Sequence, residues 1–391
     1  MVSYDKFSDE DVSYLEEWCL NLQEIARNVK KNALQKNLTT FFSITSTFQY
    51  GIIKPYITPI RILESGLIFG VVIYSPTQAI IAGNIMKDIA DEILVDAEKK
   101  VDSEIKNGAQ IDVNHSLLNY FNVRLSDKQL VSLNKANINN ISSAVRIVVS
   151  DIKITEFKPN DITVDAVWTF LSLKLNTFHG KKIAIIGCGN IGFKLALKLA
   201  ESGVKVVIVR RNQDKGKFMA EAINLLTPLS DSPVKYCHSA LDASDECDVL
   251  IGAATQVTRV ISSDMIKNIS PNGFVIDIGK GNLEDTAINL ALKTNIDIFR
   301  GDITGSLYGY ISHMQKMKNV IENKTGRINL NSSISLISGG LLGKEGEIVV
   351  DNFESPSIIY GVSNGLGSIK IHLDAIDKEN LTNLKKLYDI L

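Results

Sequence analysis

The chain has 391 residues, 45% of them hydrophobic and 22% charged, with a formal net charge of −2. That length accommodates two domains with cores of their own. The near-neutral balance gives no electrostatic case for nucleic acid or an anionic membrane surface as a partner. Four scattered cysteines, Cys19, Cys188, Cys237 and Cys247, form no CxxC pair, so neither a disulfide framework nor a structural zinc site is expected, and a reducing, cytoplasmic setting fits best.

The opening residues are too acidic and polar for a signal peptide. Residues 8 to 36 place Val12, Leu15, Trp18, Cys19, Leu22, Ile25 and Val29 at helical spacing, with Ser8, Glu10 and Asp11 suited to the helix start. "TTFFSITSTF" and "SGLIFGVVIYS" read as buried strands. The apolar stretch around the second is interrupted by Ser75, Pro76, Thr77 and Gln78, so it reads as strand, turn and helix and not as a membrane span. Residues 79 to 105 predict one long amphipathic helix, and "AVRIVVSDIKI" a further strand. Residues 1–160 are therefore expected to form an α/β substrate domain without a nucleotide fingerprint.

Residues 161 to 176 predict a helix that leads through the turn "HGKK" into a different rhythm. "KIAIIG", "VKVVIVR", "DVLIGAAT", "GFVIDIG" and, less regularly, "NIDIFRGDI" are strand-like, with helices between them. Such βα alternation predicts a doubly wound parallel sheet, a Rossmann domain over 161–330. The tail, 331–391, is rich in glycine and β formers, with turn signals at Lys344-Glu345-Gly346 and Asn364-Gly365. A β-rich segment packing back on one of the domains is expected there.

The stretch "GCGNIG", Gly187 to Gly192, follows a strand and opens a helix expected from Phe193. Each glycine has a task in a dinucleotide loop: Gly187 for the tight turn, Gly189 for backbone approach to a pyrophosphate, Gly192 for close helix–strand packing. Cys188, Asn190 and Ile191 complete the loop, and phosphates are expected on its free amides at the helix N-terminus. A helix N-terminus lowers a thiol's pKa, but Cys188 reads as a small packing residue. The next strand ends at Arg210 and Arg211, where an NAD-binding domain keeps a carboxylate for the ribose hydroxyls. A guanidinium there suits the 2′-phosphate of NADP, with Lys215 and Lys217 adding charge; a solvated basic turn is the plainer reading. Ala253, Ala254 and Thr255 at one strand end, and Gly279, Lys280 and Gly281 at the next, are expected to face the cofactor.

The run from 157 to 300 resembles the C-terminal domain shared by shikimate dehydrogenases, methylenetetrahydrofolate dehydrogenase/cyclohydrolases and glutamyl-tRNA reductases. "DAVWTFL" before the first strand, "VVIVRRNQDKGKFMAEA" and "DVLIGAATQV…ISSDMIKNISPNGFVIDIG" carry the likeness. It implies an NADP-dependent reductase with its substrate between two domains. In the first half, "FGVVIYSPTQAI" resembles the shikimate group's GxNVTxPxK, with Gln78 where that group keeps its proton-transfer lysine. "TVDAVW" resembles NTDxxG and puts Asp165 at the substrate-binding aspartate. Tyr50 and Lys54 have the YxxxK spacing of the folate enzymes, whose lysine promotes cyclohydrolase chemistry. The loop itself departs from both groups, being neither GAGGA nor GRSxxVG.

Hydride transfer to a C=O or C=N bond needs a nearby proton donor. Lys54, with Tyr50 one helical turn earlier, is the first candidate, and Asp165 the candidate substrate contact. The five histidines lack metal-ligand spacing, so no metal is expected, and His313 reads as a helical surface residue. The leading expectation is an NADP-dependent oxidoreductase for a small polar metabolite, an amino-acid, imine or hydroxy/keto-acid derivative. A methylenetetrahydrofolate dehydrogenase-like enzyme and a non-catalytic NADP-binding sensor or scaffold stay open. An S-adenosylmethionine enzyme is disfavoured by Arg210. No nucleic-acid or membrane partner is expected, and symmetric pairing into a homodimer is an open expectation.

Overall fold

The apolar stripe near the N-terminus becomes a helix because one face of it has a sheet to cover. In the computed structural model, which describes residues 9–47, 54–98, 115–135, 141–149, 152–227, 231–254 and 259–390, helix α1 (Asp9–Gln35) buries Leu15, Trp18, Cys19, Leu22, Ala26 and Val29. They share a core with Phe42 and Phe69, whose rings meet edge to face at 5.2 Å. The expected helix-start residue Ser8 lies outside the described residues.

The chain continues through β1 (Thr39–Ser46), β2 (Tyr56–Ile62), β3 (Gly66–Ile73), α2 (Pro76–Met86), β4 (Glu92–Asp96), α3 (His115–Tyr120), α4 (Asp127–Lys135), α5 (Ile141–Val148) and β5 (Lys153–Phe157). The five strands form one sheet in the order β2-β3-β1-β4-β5. All neighbours are parallel except β2, an antiparallel edge strand.

Two expectations fail in this half. The single helix over 79–105 is not formed: α2 stops at Met86 and β4 begins at Glu92, while 99–105 lie outside the described residues. β4 is an inner strand buried on both faces, so Ile93, Leu94 and Val95 run together without the alternation that marks a strand. "AVRIVV" is mostly helix, not strand. Ile141, Ala144, Val145 and Val148 fall on one buried face of α5, and Gly83 of α2 lets Val145 and Val149 approach closely. Packing has overruled β propensity there.

Next come α6 (Pro159–Leu175), β6 (Lys182–Ile186), α7 (Asn190–Glu201), β7 (Lys205–Val209), α8 (Gln213–Leu226), β8 (Lys235–Cys237), α9 (Ala240–Ser244), β9 (Val249–Gly252), α10 (Ser263–Asn268), β10 (Phe274–Asp277), α11 (Asp285–Lys293) and β11 (Ile298–Arg300). The six strands are all parallel, in the order β11-β10-β9-β6-β7-β8. This is the doubly wound sheet the sequence predicts. The strand order reverses direction between β6 and β9, the place where such sheets hold ligands at their carboxyl ends. The short strand β8 carries too little pattern to be foreseen. Apolar residues from both faces of the sheet fill two cores.

By contacts the chain divides into residues 1–308, which hold the five-stranded and six-stranded sheets, and 309–391. Helix α12 (Thr304–Asn319) carries the chain from one into the other. The second unit has β12 (Gly326–Asn329), β13 (Ser335–Ser338), β14 (Ile348–Val350) and β15 (Ile359–Val362) in sequential sheet order, then α13 (Ala375–Tyr388). Leu384 of α13 joins Leu336, Ile348, Val350 and Val362 in its core. α13 was not foreseen; its start is fixed by a capping box between Asp374 and Asp377. Between β14 and β15, Asp351 accepts the Ser357 hydroxyl at 2.6 Å and the amides of Ser357 and Ile358 at 2.8 and 2.9 Å. Desolvation pushes its pKa up, but the hydroxyl and amides outweigh that and bring it down to about 2. Among the described residues no helix is long and apolar enough to cross a membrane.

Candidate functional site

β6 delivers the chain into the glycine loop at the reversal point of the sheet. Gly187 has φ +100°, and a Cβ on it would lie 2.4 Å from the Ala254 amide nitrogen. Only glycine fits there, for both reasons. A Cβ on Gly192 would lie 2.7 Å from the Gly187 carbonyl oxygen. Gly189 differs: its φ is −93°, and a Cβ there would meet nothing within 4 Å. The loop's own packing therefore does not require glycine at 189.

The helix starts earlier than expected, at Asn190, with Gly189 as an N-cap that makes no side-chain hydrogen bond. The Phe193 amide is already used, donating to the Gly189 carbonyl at 2.9 Å. The amides left without an intrahelical acceptor are those of Asn190, Ile191 and Gly192, which present a positive dipole end to an anion. The Cys188 thiol is buried, and desolvation pushes its pKa up to about 11, more than the Arg210 charge pulls it down. It is an inert packing group.

At the end of β7 the Arg210 guanidinium donates to the Cys188 carbonyl and lies 3.7 Å from the Met219 sulfur. It thus sits against the glycine loop, with most of its donors uncommitted. Arg211 and Lys215 are exposed. The next helix is capped by Asn212, which accepts the Lys215 amide at 2.9 Å.

The floor of the site joins two strand ends. Asn282, fully buried, accepts the Ala254 amide on its side-chain oxygen at 3.0 Å, and its own carbonyl accepts the amides of Val260 and Ile261. Gly279 lies beneath the Ala254 carbonyl, where a Cβ would come within 2.4 Å. Asp277 closes the turn by accepting the Gly281 amide at 2.8 Å. Asn282 and Asp277 were not anticipated, since nothing in the sequence marks an asparagine five residues past a strand as a brace. Thr255 lies outside the described residues.

The edge beyond β10 and β11 gathers charge. Lys280 has φ +55°, unusual for a residue with a side chain. Its ammonium pKa is pulled below the ordinary lysine value by desolvation, then by the charges of Arg61 and Arg300. Arg61, from β2, donates its Nε–H to the Thr304 hydroxyl at 3.2 Å. That hydroxyl and the Thr304 amide donate to Asp302 at 2.6 and 2.9 Å. Asp302 is held below the usual carboxylate range, first by the Thr304 hydroxyl. Sequence reasoning missed Arg61, Arg300 and Thr304; Arg61 and Thr304 meet across 243 positions of chain.

The residues expected to be catalytic are placed elsewhere. Lys54 is exposed just before β2, its ammonium 4.3 Å from the centre of the Tyr14 ring. Along β2 it stands roughly 20 Å from Arg61. Tyr50 lies outside the described residues. Asp165 lies in the second turn of α6, where it pairs with Lys198 of α7. No described contact joins it to Lys54. Gln78 is buried; its side-chain oxygen accepts the Tyr74 amide at 2.9 Å. His313 is exposed on α12.

Residues 182–281 match the family described as NADP oxidoreductase, coenzyme F420-dependent. Glutamyl-tRNA reductase of Campylobacter jejuni (strain RM1221) is 23% identical over 164 residues, covering 41% of this chain and 35% of that protein. The match thus spans about a third of the length of the curated relatives. A dipicolinate synthase polypeptide from Bacillus halodurans is similar at 16% identity with a TM-score of 0.33, covering 71% of this chain and 97% of that one. NADPH-dependent glyoxylate/hydroxypyruvate reductase from Sinorhizobium meliloti is similar at 16% identity with a TM-score of 0.28, covering 36% and 81%. By strand order, loop and family match, the β6–β11 domain is a Rossmann domain of the NAD(P)-binding type.

Proposed function

We propose that this chain is an NADP(H)-dependent oxidoreductase acting on a small polar metabolite at the carboxyl ends of β6, β9 and β10. One observation carries the reading: an uncapped helix N-terminus stands beside an arginine on the neighbouring strand end. The amides of Asn190, Ile191 and Gly192 would receive the diphosphate, and Gly189 would let it come close. Arg210, seated on the loop, and Arg211 beside it would take the 2′-phosphate, with Lys215 adding charge. Ala253, Ala254 and Gly279 are small enough to leave a broad shelf over the floor that Asn282 holds. Bound there, the nicotinamide would supply or accept a hydride.

Proton delivery in this reading falls to Lys280, whose lowered pKa brings it nearer to neutral pH. Lys54 would serve only a site at the other end of β2. Titration of the full chain with NADPH and NADH tests the assignment. NADPH is expected to bind at least about tenfold more tightly, and Arg210→Ala with Arg211→Ala to remove that preference. Equal affinities in the unaltered protein would overturn it.

A second reading, NADP binding without turnover, is favoured by Gln78, which is buried and bonded to backbone at the position where the shikimate-type pattern has its lysine. A chain that binds NADPH yet oxidises it with no keto acid, imine or shikimate-like compound would support that reading.

A further inference from the structure

The cluster at the β10–β11 edge has more positive charge than its own structure can use. Arg61 reaches it from the antiparallel edge strand of the first sheet, next to a register shift between Thr58 and Arg61 that re-aims the strand. Arg300 closes β11, opposite Asp277 of β10. Lys280 sits in the turn that follows β10, held there by the bond from the Gly281 amide to Asp277. The cluster thus sets three cations against two carboxylates: Asp302, which already accepts two bonds from Thr304, and Asp277, which accepts the Gly281 amide. Among the described residues no ion pair neutralises Lys280 or Arg300. Lys280 and Arg300 are exposed and Arg61 is half-buried, so solvent screens part of their mutual repulsion and the group stays open to an incoming anion. The Lys280 ammonium pKa is lowered first by desolvation, then by the charges of Arg61 and Arg300. An incoming anion at this edge would meet three positive groups, two of them open to solvent.

We propose that Arg61, Lys280 and Arg300 form the receptor for a carboxylate on the substrate, which makes the substrate a 2-oxo, 2-imino or 2-hydroxy acid. The proposal rests on the oxidoreductase reading above, since it places the receptor beside the shelf assigned there to the nicotinamide. A guanidinium presents a planar fork matched to a carboxylate. Two such forks, supplied by different sheets, would fix the acid group. A single carboxylate leaves Lys280 cationic charge for the neighbouring oxygen. In the reducing direction the 2-oxo acid gains a hydride from NADPH at its carbonyl carbon and a proton from Lys280 at its oxygen. It leaves as the 2-hydroxy acid, with NADP⁺ as the other product. Arg61, a residue of the first sheet, is steadied for this by its bond to the Thr304 hydroxyl.

The test is calorimetric titration of the full chain, loaded with NADPH, with three probes at constant ionic strength: oxamate, inorganic phosphate and acetamide. Oxamate is expected to bind saturably and acetamide not at all. Arg61→Gln and Arg300→Gln should each weaken oxamate about tenfold or more, with Arg61→Lys losing less. NADPH affinity, unchanged within about twofold, would certify that these variants are folded. The proposal is overturned if the NADPH-loaded protein ignores oxamate, if the variants bind it as well as the parent, or if phosphate alone binds. Failure of NADPH to bind the unaltered protein would sink the cofactor reading instead. Oxamate binding that is lost in Arg61→Gln would still uphold the receptor.

Discussion

Two βα junctions of the same molecule, β3 into α2 and β6 into α7, solve one problem in opposite ways. Each parallel strand ends at the N-terminus of a helix whose first amides lack partners. At α2, Ser75 accepts the Gln78 amide at 3.2 Å, and the Gln78 side chain folds back to accept the Tyr74 amide. Pro76 removes one donor outright. At α7 the cap is Gly189, which contributes no side-chain bond and whose missing Cβ faces open space. The first junction is finished by its own residues. The second is left incomplete, and an anion is what would complete it.

The strongest way to break this comparison is Gly189→Val. The added Cβ meets nothing within 4 Å, so the thermal midpoint is expected to move by no more than a few degrees. NADPH affinity should fall by about 100-fold, or ~2.7 kcal/mol. A large loss of stability with affinity retained would show that Gly189 serves the fold. Ser75→Ala is the converse experiment. Removing the cap should cost about 1 kcal/mol in denaturant unfolding and leave NADPH affinity as it was. A change in cofactor affinity there would abolish the distinction between the junctions.

The smallest effect concerns another self-satisfied polar group, Asp351. Its pKa is lowered to about 2, so the stability it contributes is present above the ordinary carboxylate value and is lost as pH falls through about 2. The group is only partly shielded from solvent, so screening trims the contribution to about 1 kcal/mol or less. Between pH 4.5 and pH 2 the parent should lose that much more stability than Asp351→Asn, followed by urea unfolding. Parallel curves for the two proteins would contradict it.

Much of the second sheet was legible in the sequence because its strands are short, β-branched and punctuated by glycine. "KIAIIG" and "VKVVIVR" fall on β6 and β7 within a residue or two. The glycine loop was legible for the same reason, since Gly187 has a conformation and a neighbour that only glycine tolerates. The first sheet was harder to read. Ile93, Leu94 and Val95 sit where both faces are buried, so the alternation that identifies strands is erased. Val145 and Val148 look like strand residues, but both lie on the buried face of α5, where Val145 packs closely on Gly83 of α2. The charged edge could not be read locally at all. Arg61 acquires its meaning from Thr304, Lys280 and Arg300, and no spacing in the sequence points across that separation.

The brace at Asn282 has a kinetic consequence. One side-chain oxygen and one carbonyl lock the ends of β9 and β10 together through Ala254, Val260 and Ile261. Because this platform is assembled in advance, docking onto it requires little searching of backbone conformations. Capture of a dinucleotide should then approach the encounter rate set by diffusion and charge, with residence time carrying the differences between one ligand and another.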